Sequence, residues 1–266
     1  MKIKIISDLH LSNPQQFNIE ENCDLLVIAG DLSSKYQLER DFLKQLRVPT
    51  VCVAGNHLGY EYGMRNIISE LLYLPMNHLT LESEILNLQE YFKCTNIHYL
   101  QNEYFKFDNK IIFGGTMYTD FTLYGNQNES MNIARQCIND FSKVYVSSNP
   151  RRVTPEDYVR YFNTFMRRLK KCIKETSEDI IVVTHFAPSK KAISNKYKNN
   201  ELNPYFVTDL EKFIENNKRI KLWIHGHVHN QCSYNVGDCK VVCNPFGYFG
   251  ENYIDTKDYE EVIVEV

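Results

Sequence analysis

Asp8-Leu-His10, Gly30-Asp31, Gly55-Asn56-His57 and His225-Gly-His-Val-His229 each close an apolar run, and His185 closes another, Ile181-Val-Val-Thr-His185. Taken singly, these have ordinary explanations. An Asp caps a turn, Gly-Asn favours a tight turn, and a lone strand-end His is usually a hydrogen-bonded structural residue. Taken together they gather Asp8, His10, Asp31, Asn56, His185, His227 and His229, which offer only nitrogen and oxygen donors. Such a set suits borderline or hard divalent ions such as manganese, iron or zinc. Two histidines two residues apart, with Gly226 ahead of them allowing close backbone approach, match the needs of imidazole ligation. Seven protein ligands are too many for one ion, so the expectation is two divalent ions sharing a bridging carboxylate. Strand alternation turns His225 away from them, toward a structural role. His78 and His98 stand apart from other ligand types and read as surface or packing residues.

The elements that must position these residues are short runs rich in Ile and Val: Ile3–Ile6, Leu25–Ala29, Val51–Ala54, Ile111–Phe113, Ile180–Val183 and Leu222–Ile224. Runs this short and continuous predict strands buried on both faces. Helix-like stretches near 36–46, 62–73 and 204–216 separate several of them, which predicts a largely parallel sheet in an α/β fold. A hairpin is expected from Gln231–Asn235 and Cys239–Cys243 around Val236-Gly237-Asp238, and a last strand at Val262–Val266. The clearest helix starts at Thr154-Pro155-Glu156-Asp157, with a cap, a first-turn proline and two acids at the positive end of its dipole. Tyr158, Phe162, Phe165, Leu169 and Ile173 form its apolar stripe. Residues 116–150 interrupt the strand rhythm and are expected to form loops or a small cap. Residues 1–266 thus read as one domain with that insertion.

Composition narrows the class further. A 43% hydrophobic and 24% charged chain of 266 residues is ordinary for a globular protein. The net charge of −3 gives no overall pull toward nucleic acid or anionic membrane. No apolar run approaches the roughly 20 residues that span a bilayer. The chain enters a strand pattern at Met1-Lys-Ile-Lys-Ile-Ile without a secretory leader, so a cytoplasmic setting is expected. None of the eight cysteines forms a Cys-x-x-Cys pair. Cys52, Cys172 and Cys243 read as buried reduced thiols, and Cys232, Cys239 and Cys243 lack zinc-ribbon spacing.

The blocks Asp-x-His, Gly-Asp, Gly-Asn-His, a later His and Gly-His-x-His occur in order from position 8 to 229, and the sequence resembles the calcineurin-like metallophosphoesterases, in particular their uncharacterised bacterial and viral branch. The resemblance implies an α/β fold of two mixed β-sheets packed face to face as a sandwich with flanking helices. It implies one metal held by Asp8, His10 and His229, another by Asn56, His185 and His227, and Asp31 bridging both. His57 would face the leaving group. Two departures stand out. Leu58 occupies the place of the family's usual acid after Gly-Asn-His, with Glu61 three residues later. Asn244-Pro-Phe-Gly-Tyr248 places Phe246 where such relatives often carry arginine, so a phosphate-contacting charge is missing or comes from elsewhere.

The expected reaction is hydrolysis of a phosphomonoester or phosphodiester by a metal-bridging hydroxide, with His57 assisting the leaving oxygen. A small-molecule phosphate ester is the favoured substrate, since no basic groove points to nucleic acid. Asp120, beside Tyr118 and Phe121, is a candidate for the substrate rim. Lys190, Lys191, Lys196 and Lys198 follow His185 in a loop able to steer an anion. The alternative from a different class is a non-catalytic metal-binding scaffold of the same fold. Loss of a metal histidine or of the His57-type residue would favour it, and neither is lost.

Overall fold

The Ile- and Val-rich runs become parallel strands of two sheets. The computed structural model describes residues 1–13, 15–60, 80–146, 150–253 and 256–266. The helix expected near 62–73, Glu61 and His78 lie outside those residues. In the first sheet β1 (Lys2–Ile6), β2 (Leu25–Ile28), β3 (Thr50–Val53) and β4 (Ile97–Leu100) run parallel, and β13 (Val262–Glu265) pairs antiparallel with β1 at the edge. The second has the order β11 (Cys232–Val236), β12 (Cys239–Cys243), β10 (Ile220–His225), β9 (Ile180–Thr184), β6 (Lys110–Gly115), β5 (Glu103–Phe107). Its four inner strands are parallel and both outer ones antiparallel. A small ribbon joins β7 (Tyr145–Val146) to β8 (Arg151–Arg152).

Alternation along the strands builds two layers of core. Ile3, Ile5, Leu25 and Val27 of one sheet meet Ile181, Val183, Leu222 and Ile224 of the other in a fully buried cluster between the sheets. The opposite faces, through Leu26, Ile28, Val182, Trp223 and Val241, join the helices in a second cluster. Each buried aliphatic side chain contributes about 1.5–3 kcal/mol, and burial on both faces explains why the runs are continuous rather than alternating. The result is the expected sandwich of two mixed sheets with helices outside.

The helix Pro155–Glu175 begins as the sequence predicts. Thr154 caps it in a reciprocal box with Asp157, and Arg151 and Arg160 both pair with Asp157. Its apolar stripe faces the second sheet, where Phe165 meets Phe113 edge-on at 5.2 Å. Three further elements went unforeseen: a helix at Leu81–Phe92, capped by Thr80, and the strands β4 and β5.

Two expectations need correction. The stretch 204–216 is not one helix but two short ones, Asn203–Phe206 and Glu211–Glu215. Val207 forms a bridge with Ala187, and the Thr208 and Leu210 N–H groups donate to the carbonyls of Ala187 and Pro188. The loop after His185 thereby takes up backbone groups that a continuous helix would use. Residues 116–150 are also more regular than loops. Asn126 caps a helix at Gln127–Cys137, and a short helix follows at Asp140–Lys143. The first of these is polar on most faces, so periodicity alone hid it. No helix among the described residues is long and apolar enough to cross a membrane.

One buried acid makes stability depend on pH. Glu39 accepts a hydrogen bond from Tyr99 Oη at 2.8 Å and is fully enclosed. Burial pushes its carboxyl up to about 8 from an ordinary 4.5. Below the ordinary value both folded and unfolded states hold the proton. Between the two values the unfolded chain ionises and the folded one does not, so stability falls as pH rises through that window. Glu39→Gln removes this dependence. Its Tm advantage over the native protein is expected to grow between pH 5 and pH 8 in thermal melts, and an advantage independent of pH would contradict the assignment.

Candidate metal centre

Every expected ligand lies just past the carboxyl end of a parallel strand, the edge at which α/β sheets bind ligands. Asp8 and His10 follow β1, Asp31 follows β2, Asn56 and His57 follow β3, His185 follows β9, and His227 and His229 follow β10. The backbone is bent sharply to bring them in. Asp8, His10, Asp31, His227 and His229 have φ of 53°, 44°, 48°, 70° and 45°, in the left-handed region that side chains other than glycine disfavour. Such conformations cost on the order of 1–3 kcal/mol each and persist where the surroundings over-determine them. At Gly226 the space is equally constrained, since a Cβ there would lie 2.5 Å from Asp8 Oδ2.

The side chains converge in adjoining trios. Donor atoms of Asp8, His10 and His229 lie within 4.8 Å of one another, and so do those of Asp31, His185 and His227. A third trio of His10, Asp31 and His57 makes Asp31 the neighbour of both. His10 Nε2 faces His229 Nε2 at 3.0 Å, and His229 Nε2 lies 3.5 Å from Asp8 Oδ1. His185 Nε2 lies 3.4 Å from Asp31 Oδ2 and 3.1 Å from Asn56 Oδ1. The outer ring nitrogens fix these orientations. His185 Nδ1 donates to the Ala29 carbonyl at 2.9 Å and His229 Nδ1 to Glu251 Oε2 at 2.7 Å, which turns both Nε2 atoms inward. The backbone N–H of His227 donates to Asp8 at 3.0 Å.

The electrostatics of the centre call for cations. Burial opposes ionisation of Asp8, yet the hydrogen bond and charge of His229 hold it well below the usual carboxylate range. Asp31 is likewise buried and held well below it by His185 and His57. Burial pulls His185 and His229 down, but the facing carboxylates outweigh it and lift them to about 9 and about 10. His10, by contrast, is pushed down by burial to about 4, and His227 well below its ordinary value. No Lys or Arg among the described residues lines the cavity at this centre. His227 Nε2 is buried without a hydrogen-bond partner. Two charged carboxylates, ring nitrogens turned inward and an orphaned nitrogen form a donor set that divalent cations fit once they displace the ring protons.

The family model for calcineurin-like phosphoesterases matches residues 1–231. The chain belongs to that family. It is therefore a metal-dependent phosphoesterase, in a family whose members use a dinuclear metal centre. Among solved structures, a phosphopantetheinyl hydrolase from Mycobacterium tuberculosis is similar at TM-score 0.65 and 14% identity, over 93% of this chain and 89% of that one. A dimetal phosphatase from Danio rerio aligns at TM-score 0.46 and 12% identity, over 91% of this chain and 86% of that one. At these identities the first likeness speaks for the fold alone. No curated protein matches the sequence.

Several residues that shape this phosphoesterase's centre were not singled out in the sequence. Asp140 is fully buried and takes hydrogen bonds from Asn56 Nδ2 (3.0 Å) and from the hydroxyls of Tyr60, Tyr158 and Tyr205. Holding the Asn56 amide nitrogen on Asp140 leaves Asn56 Oδ1 directed at His185. Asp140→Ala is expected to lower metal affinity or turnover by about 10–100-fold, and titration of the metal-free variant with Mn²⁺ checks it. Unchanged affinity and turnover would remove Asp140 from this positioning role. Glu251 orients His229 from a turn 22 residues downstream. Leu58 is buried in the core, and two tyrosines hold His57. Tyr60 stacks on its ring at 4.2 Å and Tyr248 Oη lies 3.2 Å from Nε2. No pattern in the sequence ties these groups to the ligands, because helix packing and the chain's last turns deliver them.

Other candidates fall elsewhere. The Asp120 carboxylate binds the Thr122 N–H and hydroxyl, capping its own turn, and the structure does not bring it to the cavity. Tyr118 and Phe121 are buried packing residues. Lys190 pairs with Asp209 and Lys191 with Glu211, which neutralises half of the lysine loop, while Ile193, Ser194 and Tyr197 of that loop do line the cavity. Phe246 is buried against Phe17, Tyr253 and Tyr259 and supplies nothing to the centre. His98 packs, stacked on Phe105 at 3.9 Å.

Proposed function

We propose that this phosphoesterase hydrolyses a small phosphate ester, monoester or diester, using two divalent ions drawn from manganese, iron or zinc. Asp8, His10 and His229 hold one, Asn56, His185 and His227 the other, and Asp31 serves both. The observation that carries this reading is the meeting of those seven side chains at the carboxyl ends of strands from both sheets, in trios linked through His10 and Asp31. Two bound ions would acidify a water and neutralise charge on the phosphoryl oxygens. The chain's own residues do the rest. His57, 18% exposed and 3.8 Å from Asp31 Oδ2, supplies a proton to the leaving oxygen from a ring fixed by Tyr60 and Tyr248.

The cavity supports a small substrate. It measures about 400 Å³ and is walled in part by Ile138, Ile193, Leu202, Phe206 and Val228. That volume lies in the range of small-molecule sites. Lacking lysine or arginine, the described wall offers nothing to neutralise a run of phosphates, as a nucleic acid would need. The unit is read as residues 1–266, with 116–150 as a cap: Cys137, Ile138, Asn139 and Asp140 of that segment line the cavity.

The direct test is an assay of protein stripped of metal and reloaded with Mn²⁺, on p-nitrophenyl phosphate and bis-p-nitrophenyl phosphate side by side. Metal-dependent release from either is expected, and the faster one separates monoesterase from diesterase. Silence on both with two ions bound would set the small-ester reading aside.

A further inference from the structure

At the end of β10 a second cluster uses different chemistry. Cys232 on β11 lies directly across from Cys243 on β12, and Cys243 is in register with His225 on the parallel neighbour β10. Three adjacent strands thus present one ligand-type side chain each at the same level. Cys232 Sγ, Cys243 Sγ and a ring nitrogen of His225 lie within 4.8 Å of one another. His225 is fully buried, and its Nδ1 donates to the Gly226 carbonyl at 3.0 Å. A carbonyl only accepts, so Nδ1 carries the proton and Nε2 presents its lone pair. That Nε2 has no hydrogen-bond partner, although an unpaired buried acceptor costs about 1–3 kcal/mol. Cys243 is buried, whereas Cys232, on the outermost strand, is only partly buried.

We propose that His225, Cys232 and Cys243 form a separate site for a single thiophilic divalent ion of the zinc type, with the fourth position left to solvent. Two thiolates and an imidazole are a soft, tetrahedral-type set, unlike the nitrogen and oxygen donors of the phosphoesterase centre. The ion displaces the thiol protons and gives His225 Nε2 the partner it lacks. A disulfide between the two cysteines would leave His225 unexplained, so the metal is the better account. Spacing in the sequence cannot show this site, since register across three strands assembles it. The inference does not depend on how the phosphoesterase centre works.

Cobalt(II) distinguishes the two centres, because only thiolate ligation gives an intense near-ultraviolet sulfur-to-cobalt band. Titration of the reduced, metal-free full chain is expected to raise that band until it reports one thiolate-bound ion per chain, whatever cobalt the phosphoesterase centre also takes. Cys232→Ser and Cys243→Ser should each abolish it while Mn²⁺-dependent ester hydrolysis persists. In the native protein, Zn²⁺ should shield Cys232 from iodoacetamide at least tenfold, a measurement that needs no variant to fold. Absence of the band in the native chain, its survival in the Cys232→Ser variant, no protection by Zn²⁺, or isolation of the two cysteines as a disulfide that no longer takes cobalt would each overturn the proposal.

Discussion

Asp31→Asn is expected to lower turnover by about 10⁴-fold or more, equivalent to roughly 5 kcal/mol of lost transition-state stabilisation. Asp31 is buried beside both trios and is the one carboxylate common to the two proposed ion positions. Asparagine keeps the shape and still accepts the His57 backbone N–H that Asp31 Oδ1 receives at 3.0 Å. What it loses is the charge, and with it the ability to serve two divalent ions. Bound metal should therefore fall below two ions per chain while the fold, read by circular dichroism, is retained. A variant with full metal content and turnover within tenfold of the native enzyme would contradict the role given to Asp31.

His57→Ala should show the opposite pattern, with metal content near normal and turnover reduced about 10²–10⁴-fold. His57 is partly exposed at the cavity, beside Asp31 but outside the trio of Asp31, His185 and His227. Its proposed task concerns the leaving oxygen, so the loss should depend on the ester. An alkyl phosphate, whose alkoxide departs poorly without a proton, should suffer most. A p-nitrophenyl ester, with its good leaving group, should suffer least. Equal losses on both would point to a structural role for the ring, and unchanged turnover on the alkyl ester would remove His57 from the mechanism.

The contrast between these residues and their supports shows what a sequence can carry. Asp8, Asp31, Asn56, His185 and His227 each follow a short apolar run, and a parallel strand delivers its end to the same edge whatever lies between. That these side chains come together was thus legible from strand ends, whereas their role as ligands remains the proposal. Asp140 and Glu251 were not, because they reach Asn56 and His229 through helix placement and a late turn that no local period encodes. Asp120 is the reverse case. It has a suggestive neighbourhood in sequence, but its carboxylate satisfies Thr122 locally. The stretch 204–216 carried helical spacing, and tertiary bridging at Val207 divided it. The clustering of His225 with two cysteines required the cross-strand register, which spacing does not reveal.

The central claim is that two ions share Asp31, and electron paramagnetic resonance of the chain loaded with two equivalents of Mn²⁺ addresses it most directly. Ions joined through one carboxylate should give the broad spectrum of an exchange-coupled pair, and Asp31→Asn should abolish that coupling. Two independent six-line signals, or saturation at one ion per chain, would contradict the account.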